Sequence, residues 1–190
     1  SETVSGTDLM LVAHYDSRYS QPMPRDTVWS YGAADDGYGI GVILETVSLA
    51  LKNRTEWKQG IKVLFTDAEE PGMKGMKAIW ENNREVFDNV GLVLNVEARG
   101  TWGPTLLFEA CPGNAKVQEL YACTAEYPFT YSLTTVVYKF LPMFTDFTIV
   151  KDELPGLNFS NIADVNHYHT DLDNFSNISA KSIQHYGAQV

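Results

Sequence analysis

The sequence predicts an α/β fold, a three-layer α/β/α sandwich around a mostly parallel, mixed central sheet. Short apolar runs at 9–13, Ile61–Thr66 and 91–96 are bounded by turn residues or charge, as strands buried on both faces are. Between them lie two segments that read as helices, the first with apolar residues at helical period. Strand, helix, strand, helix, strand in succession is the alternation that covers a parallel or mixed sheet on both faces.

Taken in order, Leu-Met-Leu-Val-Ala at 9–13 is apolar throughout, which suits a central strand. Over 36–51, Ile40, Ile43, Leu44, Val47 and Leu51 repeat at helical period, and Asn53 stops the helix. The second strand, Ile61–Thr66, leads to Pro71 and Gly72, which force a turn before a shorter helix over 73–83. The third strand covers 91–96. The later half is less regular: strands at 105–109 and 133–138 flank a helix over 114–126, a further strand covers 156–160, and a terminal helix covers 180–188.

No repeat, low-complexity tract or linker divides the chain, and 190 residues at 44% apolar composition suffice for one core. A single domain over 1–190 is expected. The absence of an initiator Met and an end inside an apparent helix lead us to expect a domain excised from a longer protein.

A formal charge of -10 argues against nucleic-acid and anionic-membrane partners, which select clustered Lys and Arg. No run of about 18 uncharged apolar residues occurs, so no span of a bilayer, and no membrane contact by this segment, is expected. Cys111 and Cys123 are the only cysteines, and buried free thiols are expected rather than a bridge. The Asn-x-Ser/Thr triplets at Asn53, Asn158, Asn174 and Asn177 are read as chance together with Asn-rich loops.

Each apolar strand ends near a candidate ligand: His14 after the first, Glu70 after the second, Glu97 after the third. Parallel strands would bring these ends to one edge of the sheet, where open α/β sheets bind ligands. Asp35 precedes the first helix, and His169 lies in His-Tyr-His-Thr-Asp-Leu-Asp-Asn. Two imidazoles and three carboxylates suit zinc. Of the adjacent Glu69 and Glu70, one carboxylate could hold a metal while the other moves a proton. Asp35 or Asp36 could cap the helix, Asp16 could be a turn residue or could orient a ligand's other ring nitrogen, and at most one of His167 and His169 needs to bind metal.

His-Tyr-Asp-Ser at 14–17, Gly-Ala-Ala-Asp-Asp-Gly-Tyr-Gly at 32–39, Asp-Ala-Glu-Glu-Pro-Gly at 67–72 and Tyr-His-Thr-Asp-Leu-Asp at 168–173 resemble, in order, the co-catalytic dizinc aminopeptidase family. That family includes bacterial leucyl aminopeptidases, glutamate carboxypeptidase-like enzymes and glutaminyl cyclases. The resemblance implies a zinc exopeptidase (phosphorylase/hydrolase-like) fold and two zinc ions per chain. Asp35 would bridge them, His14 and Glu97 would complete one site, and Glu70 and His169 the other. Glu69 would be the general base, and Asp16 the partner of His14.

Most members have Asp where Glu97 stands. Asn-Val-Glu-Ala-Arg-Gly-Thr-Trp-Gly-Pro at 95–104, Leu-Pro-Met-Phe-Thr-Asp-Phe-Thr at 141–148 and Pro-Gly-Leu-Asn-Phe-Ser at 155–160 are similar to the membrane-anchored branch, the endoplasmic reticulum metallopeptidases and their bacterial relatives, where Glu is found there. The resemblance implies a hydrolase acting on peptides, extracytoplasmic, in a membrane-anchored parent. Asp146 resembles a position near the substrate pocket; Arg99 could pair with a substrate carboxylate or a neighbouring acid, and Tyr138 could donate to an oxyanion. Two alternatives are a peptide-binding ectodomain without turnover and a glutaminyl cyclase-like enzyme.

Overall fold

The computed structural model describes residues 7–22, 27–55, 58–113, 115–134 and 144–190. In chain order the elements are β1 (Asp8–His14), β2 (Tyr19–Pro22), β3 (Thr27–Trp29), α1 (Gly37–Lys52), β4 (Ile61–Thr66), α2 (Lys74–Asn82), β5 (Val90–Ala98) and β6 (Leu106–Ala110). They continue with α3 (Ala115–Thr124), a single helical turn α4 (Phe147–Val150), β7 (Gly156–Asn161) and α5 (Ala180–Gly187).

Five strands form one mixed sheet in the order β4-β1-β5-β7-β6. The β4–β1, β1–β5 and β5–β7 pairs are parallel, and β6 joins the edge antiparallel to β7. Residues 10–13 of β1 are all buried, although successive side chains point to opposite faces. Both faces of the sheet are therefore covered, which is why this strand reads as an unbroken apolar run rather than an alternating one. Helix α1 lies across β1, β4 and β5 and meets α5, while α3 packs on β7 and α2 meets α4.

The three early strands and the two helices between them match their predicted positions to within a residue or two. The strand expected over 133–138 is not seen where the chain is described: residues 132–134 are helical, the Thr134 amide donates to the Tyr131 carbonyl at 3.1 Å, and Leu133 is 69% exposed. A run of β-branched residues supplies strand propensity only where a neighbouring strand accepts it. The remainder of that segment, Tyr138 included, lies outside the described residues. The β2–β3 hairpin and the α4 turn were not expected from sequence. Both cysteines are free thiols, but only Cys111 is buried as expected; Cys123 is exposed, because it lies on α3 away from the buried Val117 and Tyr121.

Parallel pairing sets the site. His14 is paired with Thr66, so the ends of β1 and β4 are level, and the Val12–Asn95 pair brings the end of β5 alongside. His14, the Glu69–Glu70 turn and Glu97 therefore emerge at one edge of the sheet.

Candidate metal centre

His14 closes β1 and is 1% exposed. Its Nδ1 lies 3.0 Å from the Asp16 carbonyl and 3.4 Å from Asp16 Oδ1, so the ring proton belongs on Nδ1. Nε2, the ring nitrogen left for a ligand, faces Asp35 Oδ1 at 3.2 Å and Glu97 Oε2 at 3.7 Å. An imidazole whose far nitrogen is tied to a carbonyl or carboxylate is the arrangement of a metal ligand. Asp16 also acts on the neighbouring turn, where its two carboxylate oxygens accept from the amides of Glu69 (3.0 Å) and Glu70 (3.2 Å). The turn that presents the glutamate pair is thus pinned by the residue that orients His14.

The Asp35–Asp36 pair divides the two roles left open by the sequence. Asp36 caps α1, its Oδ1 accepting from the Gly39 amide at 3.1 Å while Oδ2 accepts from the His14 amide at 3.3 Å. Asp35, 3% exposed, turns into the centre. Its Oδ2 lies 3.1 Å from His169 Nε2, which in turn is 2.9 Å from Glu70 Oε1. Two groups of convergent donors result among the described residues, His14–Asp35–Glu97 and Asp35–Glu70–His169, each with its ligand atoms within 4.8 Å of one another. Asp35 belongs to both, one oxygen facing each. His167 is occupied elsewhere, with Nδ1 at 2.7 Å from Thr101 Oγ1.

Glu97 is aimed by its own strand. Asn95, two residues earlier and so on the same face of β5, donates to Glu97 Oε1 at 3.4 Å and to Asn158 Oδ1 at 2.9 Å. Oε2 is left toward His14. Backbone torsions are also unusual here: Ala68, just before the glutamate pair, and His169 adopt φ of 54° and 58°. Non-glycine residues in the left-handed region cost of order 1–3 kcal/mol each and gather at functional sites.

The donor set fits a divalent cation. Glu70 Oε1 and His169 Nε2 are buried and 2.9 Å apart, yet neither makes a hydrogen bond. Charge is unbalanced as well. Burial drives Glu69 up to about 9, and the nearby Glu97, Asp146 and Glu70 carboxylates push it the same way. Burial likewise raises Glu70 and, well above its ordinary value, Asp36. For His14 and His169, burial works toward the neutral ring but is outweighed by carboxylate contacts, from Asp16, Asp35 and Glu97 on His14 and from Asp35 and Glu70 on His169, so both are raised. Asp35 is the exception: burial opposes its ionisation, but the two imidazoles hold it well below the usual carboxylate range. Without a cation the centre must gather protons to relieve its acidity; a cation has the same effect with the carboxylates ionised.

Glu69 belongs to neither donor group and sits beside both, 9% exposed. A cleft of about 200 Å³ opens there, lined by both glutamates, His169, Tyr168, Arg18 and Arg99 among others. Arg99 donates from Nη1 to the Tyr168 hydroxyl at 3.3 Å. Asp146, expected near the substrate pocket, is 1% exposed and accepts from the Thr66 hydroxyl at the end of β4. It lies beneath the site rather than on the cleft wall, because α4 carries it into the interior beside the fully buried Phe147.

Asp173 was not singled out from sequence, although it ends the Tyr-His-Thr-Asp-Leu-Asp motif at 168–173. Its oxygens accept from the amides of Ala34 and Asp35 at 2.7 and 3.1 Å. Only the fold reveals that partner, since nothing in the local sequence links it to residue 35.

Fold and geometry together define an α/β domain with two carboxylate–imidazole groups that could hold cations at the carboxyl edge of its sheet. The chain belongs to Peptidase family M28, whose sequence profile matches residues 2–190. It is 27% identical over 190 residues to the putative endoplasmic reticulum metallopeptidase 1-A of Caenorhabditis elegans, covering 98% of this chain and 20% of that protein. It is 30% identical over 191 residues to a vacuolar membrane protease of Candida tropicalis, covering 96% of this chain and 19% of that one. The chain thus spans about a fifth of the length of these relatives. Among solved structures, the LapA aminopeptidase of Legionella pneumophila superposes with a TM-score of 0.68 at 17% identity, over 98% of this chain and 50% of that one. The glutaminyl cyclase of Porphyromonas gingivalis does so with 0.71 at 20% identity, over 98% and 71%. The expected α/β fold is the fold of these proteins.

Proposed function

We propose that this domain is a zinc-dependent exopeptidase of the aminopeptidase type, with two zinc ions per chain. The observation that carries the reading is the sharing of Asp35 between two convergent donor groups, with an uncoordinated glutamate at their side. His14, Asp35 and Glu97 would hold one ion, and Asp35, Glu70 and His169 the other. When bound, zinc would supply Lewis acidity to the attacking water and to the scissile carbonyl.

Glu69 would take the proton of that water and return it to the leaving amine. Asp16 would keep Nδ1 of His14 protonated and hold the amides of the glutamate pair, so that the base and its neighbour keep their separate directions. Burial raises the proton affinity of Glu69 in the metal-free centre, and cations held beside it would favour the ionised carboxylate that a general base needs. Peptides are the proposed substrates. A membrane-anchored parent with this domain on the extracytoplasmic side is proposed; the name of the vacuolar membrane protease relative supports the membrane attachment.

The test is metal analysis together with hydrolysis of aminoacyl chromogenic substrates by the protein and its Glu69→Gln variant. About two zinc ions per chain and a loss of at least a hundredfold in the variant, metal retained, are the expected results. Full activity in Glu69→Gln would overturn the mechanism. Glu97 is also compatible with glutaminyl cyclisation, and assay for pyroglutamate formation separates the two reactions.

A further inference from the structure

We propose that Glu109 is a positioning residue for the metal centre, acting on Glu97 through a row of two buried asparagines. The proposal rests on the reading of Glu97 as a ligand made above. Asn95 on β5, Asn158 on β7 and Glu109 on β6 are cross-strand neighbours, side by side on adjacent strands. Glu109 owes its place to an irregularity: the register shifts between Leu107 and Glu109, so that Glu109 rather than Phe108 stands opposite Asn158. A bulge of this kind re-aims a side chain.

The Asn158 amide nitrogen donates to Glu109 Oε2 at 3.2 Å and to Thr145 Oγ1 at 2.8 Å. Its oxygen accepts from Asn95 Nδ2 at 2.9 Å, and that same Asn95 nitrogen donates to Glu97 Oε1 at 3.4 Å. At the outer end Lys151 Nζ donates to Glu109 Oε1 at 2.6 Å. Both asparagines are buried, where unmet polar groups are costly and apolar side chains would serve packing as well.

What the row supplies is a direction. A side-chain amide can turn over, exchanging its oxygen and its NH2, with little change of shape. The Thr145 hydroxyl either donates or accepts and does not choose between the two settings, whereas the salt-bridged Glu109 carboxylate only accepts. Glu109 therefore holds the NH2 of Asn158 outward, its oxygen toward Asn95, and the NH2 of Asn95 toward Glu97. Glutamate has a rotatable bond more than aspartate, and a donor on Oε1 removes that freedom while leaving Oε2 for a cation. Without the acceptor at 109 both amides can turn over, and the Asn95 oxygen then faces Glu97 Oε1 and repels it.

Glu109→Met removes the acceptor at similar length, and Glu109→Gln returns an oxygen to Asn158 while the partly exposed Lys151 turns to water. Zinc affinity is measured by chelator competition, and the side-chain amide signals of Asn95 by heteronuclear NMR on the metal-free chain. In Glu109→Met one of the two zinc-binding steps should weaken by roughly tenfold, the low end for partners that orient ligands, and the Asn95 signals should move. Glu109→Gln should recover most of both. In an Asn158→Leu background the row is already cut, so Glu109→Met should cost no further affinity. A Glu109 that serves packing alone would lower urea midpoints without moving the Asn95 signals. Unmoved Asn95 signals, unchanged zinc affinity, or an equal further loss in the Asn158→Leu background each overturn the proposal. Should Glu109→Met not fold, the unmutated chain decides: zinc should shift the Asn158 side-chain signals along with those of Asn95, and Asn158 signals that ignore zinc overturn it. Zinc binding without peptide hydrolysis sinks the exopeptidase reading alone; should no zinc bind, the metal reading fails, while the Asn95 signals of the metal-free variants still decide the row.

Discussion

Asp173 grips Asp35 by the backbone across 138 residues of chain, its carboxylate accepting from the Ala34 and Asp35 amides at once. The loop that delivers the shared carboxylate is therefore held from outside the α1 cap, by the segment that also carries His169. Asp173→Ala removes both bonds without touching any donor atom of the centre. A fall of about 10–100-fold in zinc affinity is expected, as for other partners that orient metal ligands, with little loss of secondary structure. Chelator competition and circular dichroism check the two halves of that statement.

Glu97→Asp tests the length of the β5 carboxylate. Shortening the side chain withdraws it by roughly one C–C bond, about 1.5 Å, from a partner already 3.7 Å away, and takes it from Asn95. The His14 site should weaken while the His169 site, which Glu97 does not join, still fills. Elemental analysis at limiting zinc should move from two ions per chain toward one.

The metal-free protein should lose stability as pH rises. Glu69 is raised to about 9 and Asp146 to about 7, the latter by burial first, against the pull of Thr66, so both favour the folded state in their neutral form. A raised carboxyl contributes stability in full below its unfolded value, about 4, and loses it as pH climbs through the folded value. The raised histidines act in the same direction from about 6.5 upward. Asp35, lowered, opposes only at acid pH. Urea midpoints of chelator-treated protein should fall between pH 5 and 9, and zinc should flatten or reverse the slope. A midpoint that rises over that range contradicts the charge imbalance of the centre.

Gly156 opens β7 against α4. A Cβ built there would meet the Phe147 ring and stand 2.8 Å from the Val93 carbonyl. Because Phe147 is fully buried, it has nowhere to retreat. Gly156→Ala should cost about 1–3 kcal/mol, read from denaturant midpoints.

Much of the fold and the centre was legible in the chain because the relevant physics is local. The apolar run at 9–13 could be read as a strand covered on both faces, and the spacing of Ile40, Ile43 and Val47 as a helix, since each pattern reflects burial along a single element. The residues at strand ends followed from parallel pairing. What escaped depends on partners distant in sequence. Asp173, the Asn95–Asn158 pair behind Glu97 and the Thr66–Asp146 bond each join segments that no periodicity connects. The expectation of a strand at 133–138 failed at its start for a related reason, since propensity says nothing of whether an edge is available.

Asp35 offers one oxygen to each donor group, and that sharing has a thermodynamic consequence. Two cations held by one carboxylate cannot have independent binding constants. Fixing the Asp35 side chain for the first removes rotamer freedom the second need no longer surrender, while the charges of the ions repel. A zinc titration of this chain should therefore report a linkage free energy along with two affinities. Asp35→Asn should weaken both steps together and leave the linkage more repulsive, where loss of His14 or His169 would weaken one step directly.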